Sequence, residues 1–220
     1  MTPAMQLFCV ACPGAGTADY LAWGACLPAW VQVRPLPLPE VQALPIAAPT
    51  AVARHLARGL ELDVRRMPYA VVGHGFGAVL ACEMLYALRE RGARAALGLF
   101  ALGSVAPSRW AEYECSLECW RRAPEGARWP ALRAARSGYT SYRHQPRTPL
   151  SCPIHVLAGV DDGPRKAQLK AWSEETAGRL HLRLFEGDHR FIRDRQADVL
   201  AYLGQQLDGF AERWSGAEAI

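Results

Sequence analysis

The sequence lacks any run of about 18 apolar residues, so no membrane-spanning helix is expected. Its opening, MTPAMQLFCV, lacks a basic n-region and passes at once into strand-like sequence. That pattern is not expected of a signal peptide. Lysine is scarce: the positive charge is nearly all arginine, scattered along the chain, for a net +4. A charge so diffuse excludes a nucleic-acid argument but suits an acidic protein partner. The seven cysteines are odd in number and irregular in spacing. Cys9 and Cys12 form a lone C-x-x-C, and Cys115 and Cys119 a lone C-x-x-x-C. Without a second pair these lack a zinc or redox context. Cys9 and Cys12 read as small hydrophobes in or near a buried strand. Free thiols imply a reducing compartment, the cytoplasm.

What is present is an apolar half of the composition, enough for one substantial core in 220 residues. Compact apolar runs at 6–12, 69–73, 95–103 and 152–159 read as buried strands. The stretches 30–36 and 180–187 alternate as half-buried ones. Helical spacing lies between them, in AVARHLARGLELDV, in FGAVLACEMLYALRER, around Leu169 and Trp172, and from Val199 to Leu207. The proline-rich LPLPEVQALPIAAP reads as a loop. Strands alternating with helices argue for an α/β architecture, a mostly parallel sheet covered on both faces. Residues 108–150 hold no clear strand and carry Trp110, Tyr113, Trp120 and Trp129 among charges. They read as an inserted helical lid, dividing a core of 1–107 and 151–220.

Three loops at the carboxyl ends of predicted strands hold chemistry-bearing residues, where ligands of such sheets bind. The first is G73-H-G-F-G77, a strand–turn–helix that presents its central residue to a pocket. Hydrolases of this architecture carry serine there; this chain carries Gly75, which excludes a covalent intermediate on residue 75. The second loop, LAGVDDGP, offers Asp161 and Asp162. The third, FEGDHRFI, offers His189. Elbow, acid and histidine follow in the order of an α/β-hydrolase triad.

LFCVACPGAG, YAVVGHGFGAVLACEML, LFALGSVAP, YTSYRHQPRTPLSCPIHVLAGVDD and LHLRLFEGDHRFI together resemble the type II thioesterases of nonribosomal peptide and polyketide assembly lines, over nearly the whole chain. The resemblance implies an α/β-hydrolase fold with a short helical lid. It implies action on an acyl, peptidyl or polyketide chain tethered to a carrier protein. Under it His189 is the general base, and Asp162 orients it, with Asp161 as second choice. The N–H groups of Phe76 and Ala15 form an oxyanion hole; a different alignment puts Pro13, which has no N–H, in place of Ala15. No metal or dissociable cofactor is implied, since the phosphopantetheine arm arrives with the carrier. A monomer without nucleic-acid or membrane partners is expected.

Glycine at the elbow leaves three readings open: a trapping variant, a binding module without chemistry, and a live base that works without serine. The third is favoured. An imidazole oriented by a carboxylate can activate water, or remove a proton from the bound chain to drive cyclisation or isomerisation. Cys12 is the best-placed alternative thiol and Ser104 the best hydroxyl, while Cys82 lies roughly 10 Å down the helix by helix rise. Each of the three is most simply structural. His74 reads as a structural hydrogen-bonding residue.

Overall fold

The computed structural model describes residues 4–12, 17–38, 49–113, 142–163 and 166–217. Its centre is a six-stranded sheet: β1 (Met5–Val10), β2 (Val31–Leu36), β3 (Tyr69–His74), β4 (Leu99–Leu102), β5 (Ile154–Gly159) and β6 (Leu180–Phe185). The spatial order is β2-β1-β3-β4-β5-β6, and every pairing is parallel. Helices α1 (Ala18–Trp23), α2 (Pro49–Arg66), α3 (Phe76–Glu90), α4 (Lys166–Lys170), α5 (Phe191–Asp194) and α6 (Gln196–Ala217) accompany it.

Period-two alternation within almost wholly apolar strands explains why both faces are covered. On β1, Phe8 and Val10 face a core shared with α2 and α3. Leu7 and Cys9 face the other core, with Tyr20 and Trp23 of α1 and Val199 and Leu203 of α6. β3 divides in the same way, with Tyr69 and Val71 on one side and Ala70 and Val72 on the other. A strand buried on both faces cannot show a polar alternation, so its sequence is continuous apolar residues.

Three departures of the element boundaries from the sequence reading bear on the site and the core. β1 ends at Val10, which leaves Cys12 beyond the strand, on the rim of the sheet. β4 is only Leu99–Leu102, because Gly98 lies under the ring of Phe210 and the chain before it is already turning. The helix expected through Trp172 becomes a 3-10 turn over Ala171–Glu175, buried at Trp172. Of the segment 108–150, residues 114–141 lie outside the described residues, and with them Cys115, Cys119, Trp120 and Trp129.

The far end of that segment is fastened by buried polar pairs. Tyr142 donates its hydroxyl to Glu83 of α3 at 2.8 Å, and Arg147 donates to the other oxygen of Glu83 at 2.8 Å. Tyr86 donates to Glu175 at 2.7 Å, and His144 faces the second oxygen of Glu175 at 3.5 Å. Burial raises the Glu175 carboxyl pKa. Each of these buried carboxyl groups is hydrogen-bonded through at least one oxygen; removing that partner strands it.

The site depends on α3 coming close to β1. A Cβ on Gly77 would sit 2.4 Å from the Val10 carbonyl oxygen and 2.6 Å from that of Ala11. Both are backbone atoms and cannot yield cheaply. On α2, by contrast, a Cβ on the exposed Gly59 would meet nothing within 4 Å. Chemical denaturation should separate the two: Gly59→Ala should raise the unfolding free energy by about 0.5–1 kcal/mol. Gly77→Ala should lower it by about 3 kcal/mol.

Candidate active site

Three strand ends meet on one rim of the sheet. β3 runs into Gly75, whose φ of 55° and ψ of −127° place it outside the ordinary regions for residues with a side chain. The Gly75 N–H donates to the Leu102 carbonyl at 2.8 Å, and Ala78 N–H returns to the Gly75 carbonyl at 3.0 Å. The elbow therefore keeps its sharp turn with no side chain at its apex. Helix α3 begins at Phe76, so its positive dipole end and outward-pointing first-turn donors, the Phe76 N–H among them, face this rim.

The acid and the histidine are brought together by the loops after β5 and β6. Val160 N–H donates to the Phe185 carbonyl at 2.8 Å, and Asp161 N–H to that of Gly187 at 3.0 Å. Gly159 allows this, since a Cβ there would lie 2.2 Å from the Gly187 oxygen. The aspartate pair divides cleanly. Asp161 is exposed, whereas the Asp162 side chain is 3% exposed and both of its oxygens lie 3.3 Å from His189 Nδ1. One of those oxygens also accepts the Gly163 N–H at 3.0 Å.

The imidazole then points its other nitrogen at the elbow. A Cβ built on Gly75 would lie 3.8 Å from His189 Nε2 and 3.4 Å from Cys12 Sγ. Cys12, His189 and the elbow thus border one small space. Gly103, which sequence reasoning did not single out, shapes the opposite side of the pair. Its φ is 55°, and a Cβ there would sit 2.9 Å from His189 Cε1 and 3.3 Å from Asp162 Oδ2. The only sequence signal for it was a glycine closing an apolar strand.

Other assignments resolve from burial. Ser104 is fully buried, donates to the Val105 carbonyl at 3.1 Å, and through its own carbonyl accepts the Trp172 indole N–H at 3.0 Å. It belongs to the core. Cys82 is buried on α3, and its thiol pKa is pushed up by that burial. Ala15 lies outside the described residues. An aromatic wall flanks the elbow: Phe76 lies 4.7 Å from Trp110 and 5.9 Å from Tyr142, ring centre to ring centre. Tyr113 reaches the loop of Asp162, where its hydroxyl would lie 3.5 Å from a Cβ on Gly163.

His74 departs from the hydrogen-bonding reading at one ring nitrogen. Its Nε2 is buried with no hydrogen-bond partner among the described residues, and its ring stacks on His189 at 4.8 Å and 24°. Burial first, then the charges of His189 and Arg193, push its pKa down to about 3. The folded protein therefore holds His74 neutral while the unfolded chain takes a proton below about pH 6.5. The stabilisation is complete above that pH and is lost as pH falls towards 3. Urea titrations of the wild type and His74→Phe, which keeps a ring but cannot titrate, should diverge by roughly 1.4 kcal/mol per pH unit across that window. The wild type should be the steeper.

A family model for the thioesterase domain matches residues 5–118. The chain is 22% identical over 231 residues to the gramicidin S biosynthesis protein GrsT of Aneurinibacillus migulanus, covering 92% of this chain and 89% of that protein. Among solved structures, RedJ, the thioesterase from the prodiginine biosynthetic pathway in Streptomyces coelicolor, superposes with a TM-score of 0.82. Its identity is 28%, over 93% of this chain and 86% of that one. BorB, the type II thioesterase from the borrelidin biosynthetic cluster, gives a TM-score of 0.78 at 26% identity, over 93% of each chain. With its parallel sheet, its elbow and its loop order, the chain belongs to the thioesterase domain family and has the α/β-hydrolase fold.

Proposed function

We propose that this protein is a type II thioesterase-like enzyme of nonribosomal peptide or polyketide biosynthesis, acting on an acyl, peptidyl or polyketide chain tethered to a carrier protein. His189 is the general base, Asp162 holds its tautomer and orientation, and residue 75 takes no part in covalent chemistry. One observation carries the reading: the carboxylate-held imidazole aims Nε2 at the space where an elbow side chain would begin, 3.8 Å from that point. A base so placed can take a proton from water beside the thioester carbonyl, or from a group of the chain itself. The first gives hydrolysis; the second gives cyclisation or isomerisation.

The surroundings support the same reading. The Phe76 N–H and the helix end behind it stabilise negative charge on the thioester oxygen. Neutral His74 stacked on His189 adds no second positive charge next to the base. The wall of Phe76, Trp110 and Tyr142 offers apolar surface to a chain and excludes water from one side. The partner is an acyl or peptidyl carrier protein, whose phosphopantetheine arm supplies the thioester, so the protein itself needs no metal or cofactor. It acts as a cytoplasmic monomer. The insert 108–150 serves as a lid that admits the chain.

The test is turnover of an acyl-loaded carrier protein, followed by intact-protein mass spectrometry. His189→Ala should lose 10²–10⁴-fold, roughly the value of a positioned base, and Asp162→Asn should lose a smaller factor. Equal turnover in His189→Ala would remove the base assignment. Unchanged carrier affinity with no turnover in the wild type would make the protein a binding module.

A further inference from the structure

Gly75 removes one nucleophile from the rim, but it also clears the approach to another. Cys12 lies two residues past the end of β1, a strand flanked by β2 and β3. Its end therefore opens onto the same rim as the elbow. Cys12 Sγ and His189 Nε2 lie 3.4 and 3.8 Å from a single point, the Cβ position of Gly75. A serine placed there would stand against the thiol and beside the imidazole. Without it, thiol and base border one space with no side chain from residue 75 in it.

Among the five described cysteines the environments are distinct. Cys9, Cys82 and Cys152 are buried, and burial pushes their thiols up, Cys152 to about 12. Cys26 is exposed, three residues past the end of α1. Cys12 is partly exposed and alone of the five shares the space in front of the dyad. A nucleophile, a base within reach and a carboxylate orienting that base form the constellation that activates a thiol. A thiol also needs less activation than a hydroxyl, because its own pKa lies much closer to neutrality.

We infer that Cys12, supplied by the loop after β1 rather than by the elbow, is the nucleophile of this site and carries the chain as a thioester. The inference rests on the proposed action of His189 as base and deepens it. In the first half-reaction the Cys12 thiol proton moves to His189 Nε2. The sulfur lone pair adds to the thioester carbonyl carbon. The tetrahedral intermediate collapses with cleavage of the bond to the pantetheine sulfur, which takes the proton from His189. One thioester is exchanged for another, so the step needs no oxidant, reductant or external energy source. In the second, His189 takes a proton from water, or from a hydroxyl or amine of the chain. The resulting nucleophile displaces Cys12 sulfur, which recovers its proton as acid, lactone or lactam leaves.

Two measurements decide it. The first needs no substrate: iodoacetamide alkylation rates, mapped to individual cysteines, in the wild type and His189→Ala near neutral pH. Cys12 should react at least about tenfold faster when His189 is present, while Cys26 should not change. Equal Cys12 rates in the two proteins would overturn the inference. The second uses the acyl-loaded carrier protein. The wild type should accumulate a hydroxylamine-labile acyl mass on the Cys12 peptide. Cys12→Ala should lose that mass and about a hundredfold or more of its turnover, and Cys26→Ala should keep both. Turnover in Cys12→Ala within about twofold of wild type would overturn the inference and leave His189 acting on water. Absence of wild-type turnover on carrier-bound chains would count against the proposed function instead, and the alkylation result would still judge Cys12.

Discussion

The arrangement of this molecule hangs on backbone approaching backbone at the carboxyl rim of the sheet. The first turn of α3 presses on the end of β1, with Gly77 over the Val10 and Ala11 carbonyls. The loop after β6 presses on the end of β5, with Gly159 under the Gly187 and Asp188 carbonyls. Neither contact survives an added Cβ. The first fixes where Gly75 and Cys12 stand relative to one another, and the second fixes His189 against Asp162. Distances of 3–4 Å in the site are therefore set by close packing some residues away, which is rigid at this scale.

The elbow illustrates how shape and chemistry separate. The strained turn at Gly75 is intact, with its φ of 55°, although the side chain that such a turn exists to display is missing. A side chain in that conformation costs about 1–3 kcal/mol, a cost that glycine avoids. The features that surround the elbow remain organised: the helix end, the His189–Asp162 pair, and the neutral His74 stacked behind it. The His189–Asp162 pair is kept at an elbow that carries no hydroxyl. The Cys12 thiol lies across the same gap.

The segment 108–150 meets this rim at both of its described ends. Trp110 and Tyr113, near its start, and Tyr142, near its return, join the aromatic surface beside Phe76. Its return is secured by Glu83 and Glu175, acidic residues buried where only paired charges persist. Tyr142 belongs to both arrangements, since its ring meets Phe76 and its hydroxyl meets Glu83. The anchoring of this segment and the wall of the site are thus one construction.

The sequence by itself determined the parallel sheet, because strands buried on both faces must be apolar throughout and helices must alternate with them. It also determined the order elbow, acid, histidine, since each lies just after an apolar strand. It ranked Asp162 above Asp161 only through the family resemblance, because the two side chains are chemically identical. Adjacent residues differ only in which way the turn points them, and the hydrogen bond from Asp161 N–H to the Gly187 carbonyl turns Asp162 inward. Neither could it reveal Gly103, whose role comes from a neighbour 86 positions away in the chain. Ser104 and Cys12 were equal candidates as letters. Folding sent the first into the core and left the second beside His189 at the elbow, because β4 leads Ser104 under Trp172 while β1 ends two residues short of Cys12. Local pattern specifies elements; proximity between distant residues is decided only when the strands take their places in the sheet.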